Sequence, residues 1–330
     1  MKIYENLSLS DMSYYHIGGN ARYVLKIINK EDLLLAITFL REHKIDKYLI
    51  LGLGSNVILD DRDFSGAVIW LQGEGGGFEK IEDPSSVSSD SKSSGQVRVF
   101  SGETMDSLIQ FSFKHSLIGL EWAGGLPSTV GGAVRGNAGC FGSEIRDTII
   151  GVEAVDIEDP QLVVRTFSFE EIAFSYRNSF FKDHPNLFII SATFRLIHAN
   201  TDNLEKAKEA YLANIAYRQK NHPMEYPSCG SVFKNVIKRE EVEKILSVWP
   251  EVRQLSEGKW HNKIAMGYVI NRLGFSGKRI GGAMVSPKHT NYIVNIDHAK
   301  AADVKTLISE IQAKFIQIFG FTPEPEVIIL

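Results

Sequence analysis

Two glycine-rich loops limit what this chain can fold into more than any other feature. GLGSN, residues 52–56, follows the apolar stretch YLIL, and AGGLPSTVGGAV, residues 123–134, runs on into RGNAGCFGSE. Glycine lets a backbone turn sharply and present successive N–H groups to an anion, with Ser55 and Asn56 adding side-chain donors. Gly52, Gly54, Ser55 and Asn56 in the first loop, and Gly124, Gly125, Pro127, Ser128, Gly131 and Gly132 in the second, are candidate ligand contacts. Two such cradles point to a diphosphate held between two subdomains, with a pair of ordinary tight turns as the competing reading. Neither loop has the GxGxxG spacing that opens a Rossmann crossover helix, and no GxxxxGK[ST] loop for a nucleoside triphosphate occurs. A bound dinucleotide suits these loops better than a hydrolysed one.

The rest of the chain alternates strand and helix patterns. Asn29 can cap a helix over EDLLLAITFLREH, TMDSLIQFSFKHS reads as a second helix and NLEKAKEAYLANIAYRQK as a long third. AVIWL, VRVFS and LFIISATFRLI read as strands. Val304, Leu307, Ile308, Ile311, Phe315 and Ile318 share one stripe of a final helix ending at Gly320. Two segments read as insertions. Residues 73–96 are rich in glycine, serine and charge, the composition of a flexible surface loop. Residues from about 236 to 263 contain the short helical pattern REEVEKILSVW and then a polar stretch, which reads as a surface decoration or a lid.

Composition excludes several classes. At 330 residues the chain can hold two or three domains, and 44% hydrophobic with 23% charged residues is globular material without an apolar run long enough to span a bilayer. The amino terminus lacks a continuous apolar core, so no secretory signal is expected and the cytoplasm is the expected location. A balance of 36 basic and 40 acidic residues, net −4, offers no broad electropositive face for nucleic acid. Cys140 and Cys229 are too few for a disulfide framework or a cysteine-type zinc site, and the nine histidines lack paired-ligand spacing, so no metal is expected.

Three residues stand out as chemistry. In PSCGSVFKN, residues 227–235, Ser231 sits between Gly230 and Val232 with no histidine in the motif to act as its base. A serine hydroxyl without a base is a poor nucleophile but can release a proton to a carbanion or enolate beside it, the alternative being a plain turn. In FSYRNSFFK, Arg177 follows Tyr176 amid aromatics, where it could fork onto a carboxylate or simply stack on phenylalanine. In TPEPEVIIL, Glu324 and Glu326 are flanked by prolines; either could be a partly buried acid sharing a proton with a ligand, or a solvated terminal carboxylate.

Taken in order, HIGGNAR at 16–22, LGLGSN, AGGLPSTVGGAVRGNAG, FSYRNSFFK, YPSCGSVFKN, RLGFSGKRIGGAMVSPKHTNYIVN and PEPEV at 323–327 resemble the UDP-N-acetylenolpyruvoylglucosamine reductase family across nearly the whole chain. The short span from Arg195 to Ser231 resembles the second type of these reductases, which lack a longer tyrosine-bearing loop. The resemblance implies an α+β chain: a two-subdomain FAD-binding fold of the vanillyl-alcohol oxidase (PCMH) type, plus a smaller C-terminal α+β substrate domain. It places FAD-binding subdomain 1 at 1–72, the insertion at 73–96, subdomain 2 at 97–215 and the substrate domain at 216–330. Non-covalent FAD would be held by the two loops together with Asn137, Ala138 and Gly139, and NADPH would be the co-substrate. The implied reaction reduces UDP-N-acetylglucosamine enolpyruvate, with hydride delivered to C3 and a proton from Ser231 to C2. Arg177 and Glu326 complete the catalytic set, and Tyr176, Lys234 and Asn235 are the implied substrate contacts. A small-molecule substrate, a monomer, and no membrane or nucleic-acid partner are expected. Two rivals remain: a flavin oxidase of the same cofactor fold, which would want a covalent flavin link or a base by the ring, and a non-catalytic flavin or nucleotide-sugar sensor.

Overall fold

The helix expected after Asn29 forms at Lys30–Glu42 in the computed structural model, with the Asn29 side chain accepting the Asp32 N–H at 2.8 Å. The model describes residues 1–81 and 94–330. They divide into two units: Met1–Leu7, Ala21–Leu53 and Ser65–Lys220 form the first, and Ser8–Asn20, Gly54–Phe64 and Asn221–Leu330 the second. The long stretch of the second unit begins at Asn221, and the unit also takes in two short stretches from the amino-terminal third.

The first unit is built on two sheets. One has four strands in the order Lys2–Ser8, Asn20–Ile27, Phe64–Leu71, Tyr48–Leu51, the last two parallel with Tyr48 opposite Ala67. The helix Lys30–Glu42 seals it, burying Leu33, Ile37 and Leu40 with Leu25, Ile27 and Ile69. The other sheet is antiparallel, in the order Val164–Ser168, Ile149–Asp156, Leu187–His198, Ser94–Phe100, Phe78–Ile81, with Leu117–Ile118 added beside Leu187–His198. The helices Met105–Lys114 and Val130–Arg135 share its apolar cluster through Leu108, Ile109, Val130 and Val134.

Part of the stretch expected to be a flexible loop is therefore sheet. Phe78–Ile81 pairs with Ser94–Phe100, and Gly75 and Gly77 donate N–H groups at 3.1 and 2.9 Å to the buried carboxylate of Glu103. A buried carboxylate needs such donors, and the glycine run supplies them. Residues 82–93 of that stretch lie outside the described residues.

The second unit packs the helices Arg239–Val248, Met266–Arg272 and Ala301–Phe319 with the antiparallel strands Arg279–Ile280, Ala283–Val285 and Ile293–Asn295 around one core. The last helix carries the predicted stripe and ends at Gly320, whose φ of 72° makes it a left-handed cap. Its first two N–H groups, from Ala301 and Ala302, are accepted by the Asp61 carboxylate at 2.8 and 3.2 Å.

The segment from about 236 to 263 is neither a surface decoration nor a lid. Val242, Ile245, Leu246 and Val252 are buried in the core of the second unit, and Trp249 meets Phe319 edge to face at 5.0 Å. Reciprocal backbone bonds of 3.1 and 2.9 Å between Val236 and Ile264 close its base. Its polar residues suggest a surface loop, but REEVEKILSVW presents one apolar face, which a helix of this length must bury to be stable. Ile245→Ala should destabilise the chain by about 2–5 kcal/mol in urea unfolding, against the roughly 0.5 kcal/mol or less of a surface substitution.

Candidate active site

The two glycine loops meet inside the first unit. A Cβ on Gly52 would lie 2.8 Å from Thr129 Cγ2 and closer still to its Oγ1, so only glycine lets the first loop approach the second this closely. Thr129 is fixed there: it caps the helix Val130–Arg135, accepting the Gly132 N–H at 3.3 Å. Val130 and Gly131 donate to Glu103 O and Ser101 O, each at 2.8 Å, which ties the second loop to the sheet. Gly125 has a φ of 70°, and Arg218 Nε donates to the carbonyl before it, Gly124 O, at 2.9 Å. Ser128 Oγ donates to Thr129 O at 2.8 Å.

Several donors in these loops have no protein acceptor among the described residues. The N–H groups of Gly125 and Thr129 are unpaired, and the buried Ser101 Oγ and Trp122 Nε1 have no partner. Gly54, Ser55 and Asn56, which continue the first loop into the second unit, likewise donate no backbone N–H to protein. Buried polar groups are rarely left unmatched, so the buried donors of the first unit, the Thr129 N–H, Ser101 Oγ and Trp122 Nε1, are open to acceptors from a ligand. Asn137 differs. Its Nδ2 donates to Glu144 Oε2 and Ser175 O at 2.9 and 3.0 Å and its Oδ1 accepts the Arg146 N–H at 3.2 Å, so it organises the loop and joins it to the arginine turn. Ala138 and Gly139 lie between, with Gly139 opening the hairpin Gly139–Cys140/Ser143–Glu144.

That arginine turn is a tight one: Ser175 and Asn178 exchange backbone hydrogen bonds of 3.1 Å around Tyr176 and Arg177. Arg177 is left-handed, with φ 56°, and its carbonyl accepts Lys182 Nζ at 2.9 Å. Its Nη2 donates to Gly139 O at 2.8 Å, and its guanidinium stands 5.2 Å from the Tyr176 ring centre. It therefore has the tyrosine ring as a cation–π neighbour. Nearby Cys140 Sγ lies 2.9 Å from Arg218 Nη2; burial pushes this thiol up, opposed by the Arg218 and Arg177 charges.

The second unit brings the serine motif and the carboxyl terminus together. Glu326 N–H donates to Val232 O at 2.7 Å, Lys234 N–H to Glu324 O at 3.0 Å, and Phe233 stands opposite Pro325. Ser231 and Glu326 thus occupy neighbouring positions of one backbone pair, both half-buried. Ser231 Oγ has no hydrogen-bond partner among the described residues, and so no base to make it a nucleophile. Lys234 is ion-paired with Glu324, and Asn235 Oδ1 accepts the Met266 N–H at 3.0 Å, at the start of the helix Met266–Arg272. Of the two terminal carboxylates, Glu324 is thereby committed to lysine. Arg177 belongs to the first unit, Ser231 and Glu326 to the second.

Two residues that shape the site, Thr129 and Asn291, are not singled out by the sequence motifs. The first was legible as a helix cap in PSTVGG; the second lies in SPKHTNY, where nothing marks it.

A sequence model described as an FAD binding domain matches residues 21–164, and one for the C-terminal domain of UDP-N-acetylenolpyruvoylglucosamine reductase matches residues 222–330. The reductase of that name from Synechococcus sp. (strain WH7803) is 32% identical over 98% of this chain and 91% of its own length. The chain belongs to the UDP-N-acetylenolpyruvoylglucosamine reductase family. The reductase from Chlamydia trachomatis serovar L2 (strain ATCC VR-902B / DSM 19102 / 434/Bu) is 33% identical over 99% of this chain and 96% of its own. The crystal structure of the reductase (MurB) from Thermus caldophilus matches with a TM-score of 0.71 at 26% identity, covering 100% of this chain and 99% of the other.

The protein is accordingly an oxidoreductase of peptidoglycan precursor synthesis that uses FAD, with the α+β fold of this family. The donor set fits that cofactor: a diphosphate is an acceptor-only group, and the open N–H groups and the unpartnered Ser101 hydroxyl are donors. Gly52→Ala should weaken FAD binding about tenfold or more through roughly 1–3 kcal/mol of overpacking, read by fluorescence titration of the flavin-free protein. Gly76→Ala, with nothing within 4 Å of the added methyl, should leave the affinity unchanged.

Proposed function

We propose that this reductase converts UDP-N-acetylglucosamine enolpyruvate to UDP-N-acetylmuramate with NADPH as reductant, and that Ser231 is the proton donor. The observation that carries the reading is the pairing of the serine segment with the carboxyl terminus, which brings the stretches that carry Ser231 and Glu326 together, while the serine hydroxyl has no protein partner among the described residues. Bound in the glycine loops, FAD reduced by NADPH supplies the hydride for C3 of the enolpyruvyl group.

The rest of the chemistry belongs to side chains. An enol ether is electron-rich, so hydride addition becomes possible only as negative charge passes into the adjacent carboxylate. Arg177, whose guanidinium is anchored on Gly139 O, would hold that carboxylate with a planar fork. The Tyr176 ring, 5.2 Å from the guanidinium, adds a cation–π contact. Glu326 would stabilise the enol-like form, and Ser231 Oγ would deliver a proton to C2 as the C2 carbanion character collapses. Lys234, Asn235 and Tyr176 would contact the remainder of the substrate. Lys234 must share its charge with Glu324, and Asn235 retains only its amide donors, so both would act as donors to phosphate or sugar oxygens.

We place the enzyme in the cytoplasm as a monomer acting on a small molecule. No described helix is long and apolar enough to cross a membrane, and no described cluster of His, Cys, Asp and Glu could hold a metal ion.

The test separates the half-reactions. Ser231→Ala should let NADPH bleach the flavin at the wild-type rate, while recovery of colour on adding the enolpyruvyl nucleotide should slow about 10²- to 10³-fold. Equal losses in both half-reactions would refute the donor assignment.

A further inference from the structure

We propose that Asn291 is the positioning residue of the proton donor, an inference that rests on the reading of Ser231 given above. Asn291 lies buried in the loop between the strands Ala283–Val285 and Ile293–Asn295. Its backbone carbonyl accepts the Val232 N–H at 2.8 Å, its Oδ1 accepts the Phe233 N–H at 3.0 Å, and its Nδ2 donates to Phe233 O at 2.9 Å. Glu326 N–H takes the remaining carbonyl, Val232 O. Every backbone polar group of the two residues after Ser231 is thereby used, three of the four by Asn291 alone.

On the other side of the serine, Cys229 is buried in the core and Pro227 O accepts the Asn295 N–H at 2.9 Å, but the residue next to the serine is a glycine that nothing crowds. Gly230 has a φ of 78° and open space where a Cβ would be, and Ser231 Oγ itself has no protein partner among the described residues. The hydroxyl is therefore placed by the backbone on its C-terminal side, and that backbone by Asn291. The loop that carries Asn291 is itself held in place. Thr290 Oγ1 donates to Gly267 O, Tyr292 N–H to His289 O at 2.9 Å, and Ser286 N–H to Tyr292 O at 2.9 Å. A side-chain amide can imitate a strand's backbone in this way because it offers one acceptor and one donor in the same plane.

The experiment uses the full chain loaded with FAD, as Asn291→Ala and as the milder Asn291→Ser, each with Ser231 intact and in the Ser231→Ala background. Reduction of the flavin by NADPH and its reoxidation by the enolpyruvyl nucleotide are timed separately. With Ser231 present, reoxidation should slow by on the order of 10²-fold, the penalty of a displacement near 1 Å at a reacting group, with little change in KM and no change in flavin reduction. In the Ser231→Ala background the same substitution should add less than about a twofold loss, because residues acting as one unit are not additive. An unchanged reoxidation rate, a loss of full size without the serine, or failure of both variants to load FAD would each overturn the proposal. A Ser231→Ala protein that reoxidises at the wild-type rate would instead be the failure of the donor reading itself.

Discussion

The carboxyl-terminal pairing is the constraint on which the rest of the second unit depends. Residues 232–234 run between two partners, the terminal segment Glu324–Val327 on one side and Asn291 on the other. Val232, Phe233 and Val327 are all buried, so these backbone groups are closed off from water and a missing partner would leave an unmatched polar group, worth about 1–3 kcal/mol each. Pro323 and Pro325 stiffen the terminal segment, so less chain entropy is lost when it docks. A chain lacking its last few residues would lose an acid and the partner of the serine strand together.

In the first unit the comparable constraint is steric. Gly52 and Thr129 occupy space that a single methyl group would contest, and Thr129 is held by its cap to Gly132. The glycines serve mainly to let protein approach protein; the donors left over, at Gly125, Thr129, Ser101 and Trp122, are what remains for the cofactor.

The helices were legible in the sequence because their caps and stripes are local: Asn29 and Gly320 each stand where the pattern placed them. The role of residues 236–263 was not, since Ile245 and Leu246 find their partners only in the helix Ala301–Phe319 and its neighbours, far along the chain. Likewise the glycines at 75 and 77 read as flexibility until a buried Glu103 supplied a reason for them. At the site, motif order singled out Ser231, Arg177 and Glu326 as candidates, whereas Asn291 stayed silent because nothing in a sequence says which backbone an amide will imitate. Asn137 carries the opposite lesson, a residue read as a ligand contact whose amide is spent on Glu144, Ser175 and Arg146.

Arg177 shows how a site can be recognised by strain as well as by charge. A left-handed backbone at a residue with a Cβ costs about 1–2 kcal/mol, and glycine or asparagine would avoid most of it. The turn is nonetheless fixed by the Ser175–Asn178 exchange, by Lys182 on the Arg177 carbonyl and by the guanidinium on Gly139 O. Several bonds thus maintain a conformation that the residue itself disfavours. The bond to Gly139 O needs a long donor side chain at this position, so the same arginine that strains the turn also ties it to the Gly139 loop and fixes where the guanidinium leaves it.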